Sequence, residues 1–285
     1  MAVHPSQQQE EKLVREFFGG DDTGFYVEVG ANHPTEGSQT WHLEQLGWNG
    51  ILVEPQPDLA AFLVTERKRA TVFPVACTSP EQAGQVLSLH VDGARSGLNR
   101  ERMAPGSKAE YVIAVPTKTL DGILNEAQAE APIDLLSIDV EGHEIEVLSG
   151  FDFQRWQPLL ILIEDHVGTL QTHRYLKARG YRLIRRLGNN GWYVSSESKA
   201  KATLGDRFEL LGKHRELLRL PGRRAIAFEQ RPGLVIKLVD TLLGGRRVAL
   251  RALGAELGVQ QSALYHHVAN KQTLLGAVAD AIRSE

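Results

Sequence analysis

Three acidic residues stand at the ends of apolar runs that have the pattern of buried β-strands. Glu28 lies next to the end of the first run, Glu54 follows the second, and Asp139 follows a later one. Because ligands of open α/β sheets bind at the carboxyl ends of the strands, we expect these carboxyl groups to face one crevice. A carboxylate after the second strand can accept hydrogen bonds from both hydroxyls of a ribose. The sequence therefore predicts a site for a ribose-containing ligand.

The glycines near these acids favour a ribose-containing ligand without a phosphate. Gly30 has no Cβ, so the backbone can pass close to a ligand at this position. It stands 24 positions before Glu54, near the ~20 expected between a glycine turn and a ribose-binding acid. Gly37 comes too late to complete the G-x-G-x-x-G pattern that cradles a phosphate. The pattern disfavours NAD and ATP, and S-adenosylmethionine fits it better.

A second group of side chains could supply a base, since the transfer of a group from a bound cofactor can require that the acceptor is oriented and loses a proton. Asp139, Glu141, His143 and Glu164 are the candidate catalytic residues. Asp139, Glu164 and Asp165 could instead hold Mg²⁺, because this ion prefers oxygen ligands and lowers the pKa of a bound hydroxyl. Two further alternatives stay open. The acids could only orient the cofactor or acceptor, and His143 could pack or cap a helix.

The elements that must position these residues alternate between strands and helices, which predicts an α/β fold with a doubly wound, mostly parallel, seven-stranded Rossmann-like sheet. The predicted strands are residues 25–29, 50–53, 71–76, 133–138 and 159–163, with 86–91 and 111–115 as antiparallel or peripheral strands and 181–184 with 192–194 as a closing hairpin. Helices are predicted over residues 38–46, 59–65 and 120–127. Ser96 and Gly97 stand in an insertion that either lies over the cofactor or forms a plain surface loop.

Composition places the chain among ordinary globular proteins. It has 285 residues, 42% of them hydrophobic and 24% charged, and a net charge of −3 that gives no chain-wide attraction to nucleic acid. Its one cysteine, Cys77, cannot form an intramolecular disulfide, which suits a reducing compartment. With no signal segment or membrane-length apolar run, we expect a cytoplasmic protein without a membrane partner. The predicted segments are an N-terminal extension (1–24), a cofactor-binding domain (25–200), a basic tail helix and linker (201–232) and a small α module (233–285).

Two motifs resemble the FkbM-type methyltransferase family. They are Gly-Trp-x-Gly-x-x-Val-Glu-Pro at residues 47–55 and Ile-Asp-Val-Glu-Gly-x-Glu at residues 138–144, and the similarity covers roughly residues 25–194. The resemblance implies an O-methyltransferase that moves a methyl group from S-adenosylmethionine to a hydroxyl of a sugar, glycan or natural product. The family usually has Asp where this chain has Glu28. On this basis the candidate cofactor-binding residues are Glu28, Gly30, Asn32, Ser38, Glu54, Pro55, Ala76 and Asp139.

The last 53 residues have the layout of a helix-turn-helix and resemble the DNA-binding domain of TetR-type repressors. That resemblance implies contacts to DNA by Arg251, Gln261, Ser262, Tyr265, His267 and Lys271. Useful specificity would need two modules brought together by a homodimer. The alternative function is therefore a DNA-binding regulator whose methyltransferase-like domain is a sensor or dimerisation platform. A packing or dimerisation appendage, or a fusion remnant, stays open as the other interpretation of this segment.

Overall fold

The structure is a computed structural model, and it describes residues 5–20, 23–93, 95–99, 101, 109–164 and 171–201. The predicted helix-turn-helix lies outside this part, together with its candidate DNA-binding residues Arg251, Gln261, Ser262, Tyr265, His267 and Lys271. Asp165, one of the candidate metal ligands, also lies outside the described residues.

Ten strands and seven helices are formed by the described residues. The strands are β1 (Phe25–Val29), β2 (Asn49–Val53), β3 (Ala70–Phe73), β4 (Ala76–Cys77), β5 (Val86–Val91), β6 (Tyr111–Lys118), β7 (Leu135–Ile138), β8 (Leu160–Glu164), β9 (Tyr181–Leu187) and β10 (Asn190–Ser195). The helices are α1 (Pro5–Phe17), α2 (Trp41–Glu44), α3 (Pro57–Glu66), α4 (Leu120–Glu126), α5 (Glu144–Ser149), α6 (Phe153–Trp156) and α7 (Gln171–Ala178). No helix in this part of the chain is both long enough and apolar enough to span a membrane.

The central sheet has seven strands in the order β3-β2-β1-β7-β8-β10-β9. All neighbours are parallel except at β10, which is antiparallel to both β8 and β9. The predicted doubly wound, mostly parallel sheet is therefore confirmed. The strand order reverses at β1, between β2 and β7, and ligands of such sheets bind at this switch point. Val29 lies opposite Val53 on one side and Ile138 on the other, so the three carboxyl ends are level.

Continuous apolar runs form the middle of the sheet because both of its faces are covered. Every residue of β7 and β8 is buried, and so are the last four residues of β1 and β2. On one face of the sheet, alternate side chains of these strands, among them Val27, Val53, Ile138 and Ile163, form a core cluster with residues of α4, α5 and α7. The predicted closing hairpin is confirmed, with Gly188 and Asn189 between β9 and β10.

The predicted third strand, residues 71–76, is wrong in its second half. β3 ends at Phe73, and Ala76 begins β4 of a separate sheet with the order β4-β6-β5. Pro74 breaks the ladder because it has no backbone N–H to donate, and the Val75 N–H turns back to the Phe73 carbonyl at 2.9 Å. The antiparallel pairing expected for residues 86–91 and 111–115 is confirmed in this second sheet.

The helix predicted over residues 38–46 is reduced to α2. Ser38 and Thr40 turn their hydroxyls to the Glu28 carboxylate, so the segment before Trp41 follows that carboxylate instead of continuing the helix. The helix α1 is held to β10 through the buried Glu10. Its carboxylate accepts hydrogen bonds from Trp192 Nε1 at 2.9 Å and from Asn190 Nδ2 at 2.8 Å.

Candidate functional site

A cavity lies at the carboxyl ends of β1, β2 and β7, where the strand order reverses. Of the eight candidate cofactor-binding residues, Glu28, Gly30, Asn32, Glu54, Pro55, Ala76 and Asp139 line it. Three of the four candidate catalytic residues, Asp139, Glu141 and His143, also line it. Ser38 lies behind the wall, and Glu164 adjoins Asp139. The structure thus brings together residues that the sequence spreads over more than 100 positions.

At the Gly30 turn, the backbone that follows β1 passes directly beside the backbone that follows β7. The φ of Gly30 is +84°, in the left-handed region, and a Cβ added there would lie 1.8 Å from the Asp139 carbonyl oxygen. The backbone N–H groups of Gly30 and Ala31 both donate to the Val53 carbonyl, at 2.9 and 3.1 Å. Only glycine fits this position, because any side chain would overlap the backbone that follows β7.

Glu54 is buried and is held by backbone donors from both sides. Its Oε2 accepts from Asn32 N and its Oε1 from Gln56 N, each at 2.8 Å. Burial raises the pKa of Glu54, and these N–H groups oppose that rise because they favour the ionised form. The Gln56 side chain also hydrogen-bonds this carboxylate. Since a carboxylate has about four acceptor sites, Glu54 keeps acceptor capacity for a ligand in the cavity, and more if the Gln56 amide moves aside.

The Glu28 carboxylate, in contrast to that of Glu54, accepts its hydrogen bonds from the loop that follows β1. Oε1 accepts from Gln39 N at 2.8 Å, and Oε2 accepts from Ser38 Oγ at 3.1 Å and Thr40 Oγ1 at 2.5 Å. Burial raises the pKa of Glu28, whereas Arg67 and these donors lower it. Most of its acceptor capacity is therefore occupied by the protein. Ser38 likewise contacts Glu28 rather than the cavity.

Three carboxyl groups meet where β7 and β8 end. One oxygen from each of Asp139, Glu141 and Glu164 lies within 4.8 Å of the others. Asp139 is open to the cavity and hydrogen-bonded to Glu164, whose Oε1 also accepts from Asn189 Nδ2 at 3.2 Å. Loss of hydration within the surrounding protein raises the pKa of the Asp139 carboxyl group. Repulsion from the neighbouring carboxylates raises this pKa further; they are Glu164, Glu141 and Glu144. Asp139 therefore takes up a proton more readily than an ordinary aspartate, or the cluster accepts a cation.

His143 is buried beside the cavity with both ring nitrogens near protein groups. Its Nε2 lies 2.9 Å from Thr78 Oγ1, and its Nδ1 lies 3.8 Å from Glu146 Oε2. Thr78 donates its one hydroxyl proton to Gln82 Oε1 at 2.8 Å, so it accepts the bond from His143 Nε2–H. His143 also precedes the first residue of α5. This arrangement favours the packing interpretation over a base that faces the acceptor.

The loop at residues 93–98 forms another wall of the cavity, through Gly93, Ser96, Gly97 and Leu98. Ser96 Oγ donates to the Gly93 carbonyl at 2.7 Å and accepts from Asp92 N at 3.0 Å. Gln56 Nε2, next to the Glu54 side of the cavity, lies 3.5 Å from the same hydroxyl. Of the two interpretations of this insertion, the geometry favours the one in which it contributes to the site.

Arg67 is a residue of this region that sequence reasoning missed. It is 1% exposed and lies directly after α3, where its guanidinium contacts the loop between β1 and α2. An arginine after the last turn of a helix is usually a surface residue. Its partners lie 23 to 41 positions away, so no local pattern indicates its burial.

Comparisons with known proteins identify the family of this chain. The model of the methyltransferase FkbM domain matches residues 28–183, which is more than half of the chain. The chain belongs to the FkbM methyltransferase family. The segment of this FkbM-family chain that the model matches begins at Glu28 and includes Glu54, Asp139, Glu141 and Glu164. None of the curated proteins compared with the chain matches it.

Solved structures similar to this FkbM domain include other methyltransferases. The METTL16 MTase domain (crystal form 2) is 10% identical, with a TM-score of 0.40 and 68% of each chain covered. Precorrin-6y C5,15-methyltransferase from Geobacter metallireducens GS-15 is 12% identical, with a TM-score of 0.36 over 68% of this chain and 91% of that one. Human methyltransferase 10 domain containing protein is 10% identical, with a TM-score of 0.35 over 68% and 83%. At such identities, substrates and partners remain properties of those proteins.

Proposed function

We propose that this FkbM-family chain is an S-adenosylmethionine-dependent O-methyltransferase that acts on a hydroxyl of a sugar or natural product. One observation carries the proposal. The buried carboxylate of Glu54, which can accept hydrogen bonds from ribose hydroxyls, and the Asp139 carboxyl group, whose raised pKa suits a base, line one cavity beside the Gly30 turn. Methyl transfer to a hydroxyl needs both groups, one for the cofactor and one for the acceptor.

The cavity suits a cationic cofactor. Glu54 is assigned to both ribose hydroxyls, and the backbone from Gly30 to Asn32 passes close to the ligand. Pro55 and Ala76 supply apolar wall beside it. The sulfonium carries a positive charge, which a carboxylate in the lining of the cavity such as Glu141 attracts. Glu28 and Ser38 are assigned to the loop that completes the site rather than to direct contact with the cofactor.

The reaction is an in-line displacement. The acceptor oxygen forms a bond to the methyl carbon while the bond from that carbon to sulfur breaks, and the sulfur leaves as a neutral thioether. The proton of the acceptor hydroxyl passes to the ionised carboxylate of Asp139, whose raised pKa makes it a stronger base than an ordinary aspartate. A general base of this kind contributes ~10²–10⁴-fold to the rate. His143 orients the start of α5 beside Glu141 and needs no proton transfer of its own.

Mg²⁺ is an alternative at the same place, because the oxygens of Asp139, Glu141 and Glu164 form the donor set that hard cations prefer. Bound there, the ion would lower the pKa of the acceptor hydroxyl. Asp139 and Glu164 would then be ionised ligands, and the acceptor proton would leave to solvent.

The test is methyl transfer from labelled S-adenosylmethionine to a cell extract, followed by mass spectrometry, with and without EDTA. We expect a labelled O-methyl product whose yield EDTA leaves within about twofold, since the Asp139 carboxylate can act alone. A yield that EDTA abolishes and Mg²⁺ restores assigns the metal. Label found only on nitrogen or carbon would contradict the assignment to hydroxyl acceptors.

A further inference from the structure

All five N–H groups of the buried Arg67 guanidinium have acceptors. Nε donates to Glu44 Oε2 at 2.6 Å. Nη1 donates to the Pro34 carbonyl and to Ser38 Oγ, both at 3.1 Å, and Nη2 donates to Tyr26 OH at 3.0 Å and Thr40 Oγ1 at 2.8 Å. A planar fork that reaches five acceptors at once cannot be replaced by the single nitrogen of lysine.

Three of these acceptors, Pro34, Ser38 and Thr40, belong to the loop that runs from β1 to α2. The other face of the loop is the cavity, which Asn32, Glu36, Gly37 and Gln39 line. The guanidinium therefore contacts the face of the loop that is turned away from the cavity, and the opposite face of the loop lines the cavity.

Two buried carboxylates, Glu28 and Glu44, lie close to the positive charge of Arg67. Glu44 Oε2 accepts from both Arg67 and Tyr26 OH, and Glu28 Oε2 lies 3.9 Å from Arg67 Nη1. Ser38 and Thr40 each bind Glu28 and Arg67, so they link the carboxylate at the end of β1 to the cation after α3. Loop, strand and helix are joined in one buried polar network, which fixes a single conformation when all its members are paired.

The loop needs such a support because its sequence lacks the glycines that let a backbone wrap a cofactor. Gly30 is followed by Ala31 and Asn32 and, after four further residues, by Gly37. We propose that Arg67 is a positioning residue, whose hydrogen bonds hold residues 31–40 in the conformation that binds the cofactor. This inference rests on the proposed binding of S-adenosylmethionine in the cavity, and it adds a residue outside the wall of the site.

The experiment compares Arg67→Lys with Thr40→Val in the full chain. Lysine keeps the charge but loses the fork, and valine removes one acceptor of Arg67 and one donor to Glu28. Tyr181→Phe is the matched control. Tyr181 lies in β9, an edge strand of the sheet, and the variant removes a buried hydrogen bond from its hydroxyl to the Pro158 carbonyl. Calorimetry gives the Kd for S-adenosylmethionine, and urea unfolding gives the stability of each variant.

We expect Arg67→Lys to weaken cofactor binding at least tenfold and Thr40→Val about threefold or more, with faster amide hydrogen exchange confined to residues 31–40. Tyr181→Phe should lose stability while its Kd stays within twofold of the wild type. If Arg67→Lys does not fold, Thr40→Val decides. Wild-type affinity in the folded variants, or hydrogen exchange in the loop as slow as in the wild type, would overturn the inference. If the wild type itself binds no S-adenosylmethionine, the proposed function fails, and the exchange rates still decide whether Arg67 holds the loop.

Discussion

Glu54→Ala removes the carboxylate that is assigned to both ribose hydroxyls. Hydrogen bonds to a charged acceptor contribute about 1.5–3 kcal/mol each, and two that share one carboxylate about 2–4 kcal/mol together. At ~1.4 kcal/mol per tenfold change, the Kd for S-adenosylmethionine should rise ~30-fold to ~1000-fold. Titration calorimetry measures this directly. Glu36→Gln is the control, because it removes a carboxylate from the exposed rim of the same cavity.

A modified ligand separates the ribose bonds from the support that Glu54 gives to the backbone at Asn32 and Gln56. A 2′-deoxy analogue of the cofactor should bind the wild type at least fivefold more weakly than the normal cofactor does. In Glu54→Ala the two ligands should bind almost equally, because their affinities differ only through the missing partner. An equal penalty for the analogue in both proteins would show that Glu54 does not contact the ribose, and the assignment of the cofactor site would be refuted.

Three further predictions concern the base, the fold and the tail. Asp139→Asn should lower turnover ~10²-fold or more at saturating cofactor, while the Kd for S-adenosylmethionine changes less than about threefold; a parallel loss of binding with normal turnover per complex would contradict its role. Burial raises the pKa of Glu10 above 4.5, so the folded state holds this proton more tightly and stability falls as pH rises from about 4.5 through the raised value. Urea unfolding across this window should show a shallower decline for Glu10→Gln, and an unchanged slope would exclude Glu10 as the cause. Deleting residues 233–285 should leave methyl transfer nearly intact and abolish any retention on DNA. In the intact chain, the logarithm of the DNA-binding constant should fall with the logarithm of the salt concentration with a shallow slope of about −3 to −4. A deletion variant that unfolds would show that the tail is structural.

The sheet could be predicted from the sequence because its central strands are buried on both faces. Continuous apolar runs lead directly to Glu28, Glu54 and Asp139, and parallel pairing brings their ends to one edge. The end of β3 was less predictable, since the run 71–76 stays mostly apolar across Pro74. Pro74 is a local sign of the break, but the pairing of Ala76 in a separate sheet depends on tertiary contacts that the run itself does not show.

The site was predictable at the level of position and less so at the level of role. The end of the first predicted strand indicated the position of Glu28, but the sequence does not show whether its carboxylate oxygens face a ligand or a loop. In the structure they accept hydrogen bonds from Ser38, Gln39 and Thr40. Arg67 could not be found at all. Its burial depends on acceptors that come together only when β1, the loop and α3 pack against one another.

The most direct test of the central claim is a crystal structure of the full chain with S-adenosylhomocysteine. The account predicts both ribose hydroxyls within ~3.2 Å of the Glu54 carboxylate, the backbone of Gly30 and Ala31 along the ligand, and the sulfur facing the Asp139–Glu164 pair. A ligand bound outside this cavity, or one whose ribose turns away from Glu54, would contradict it.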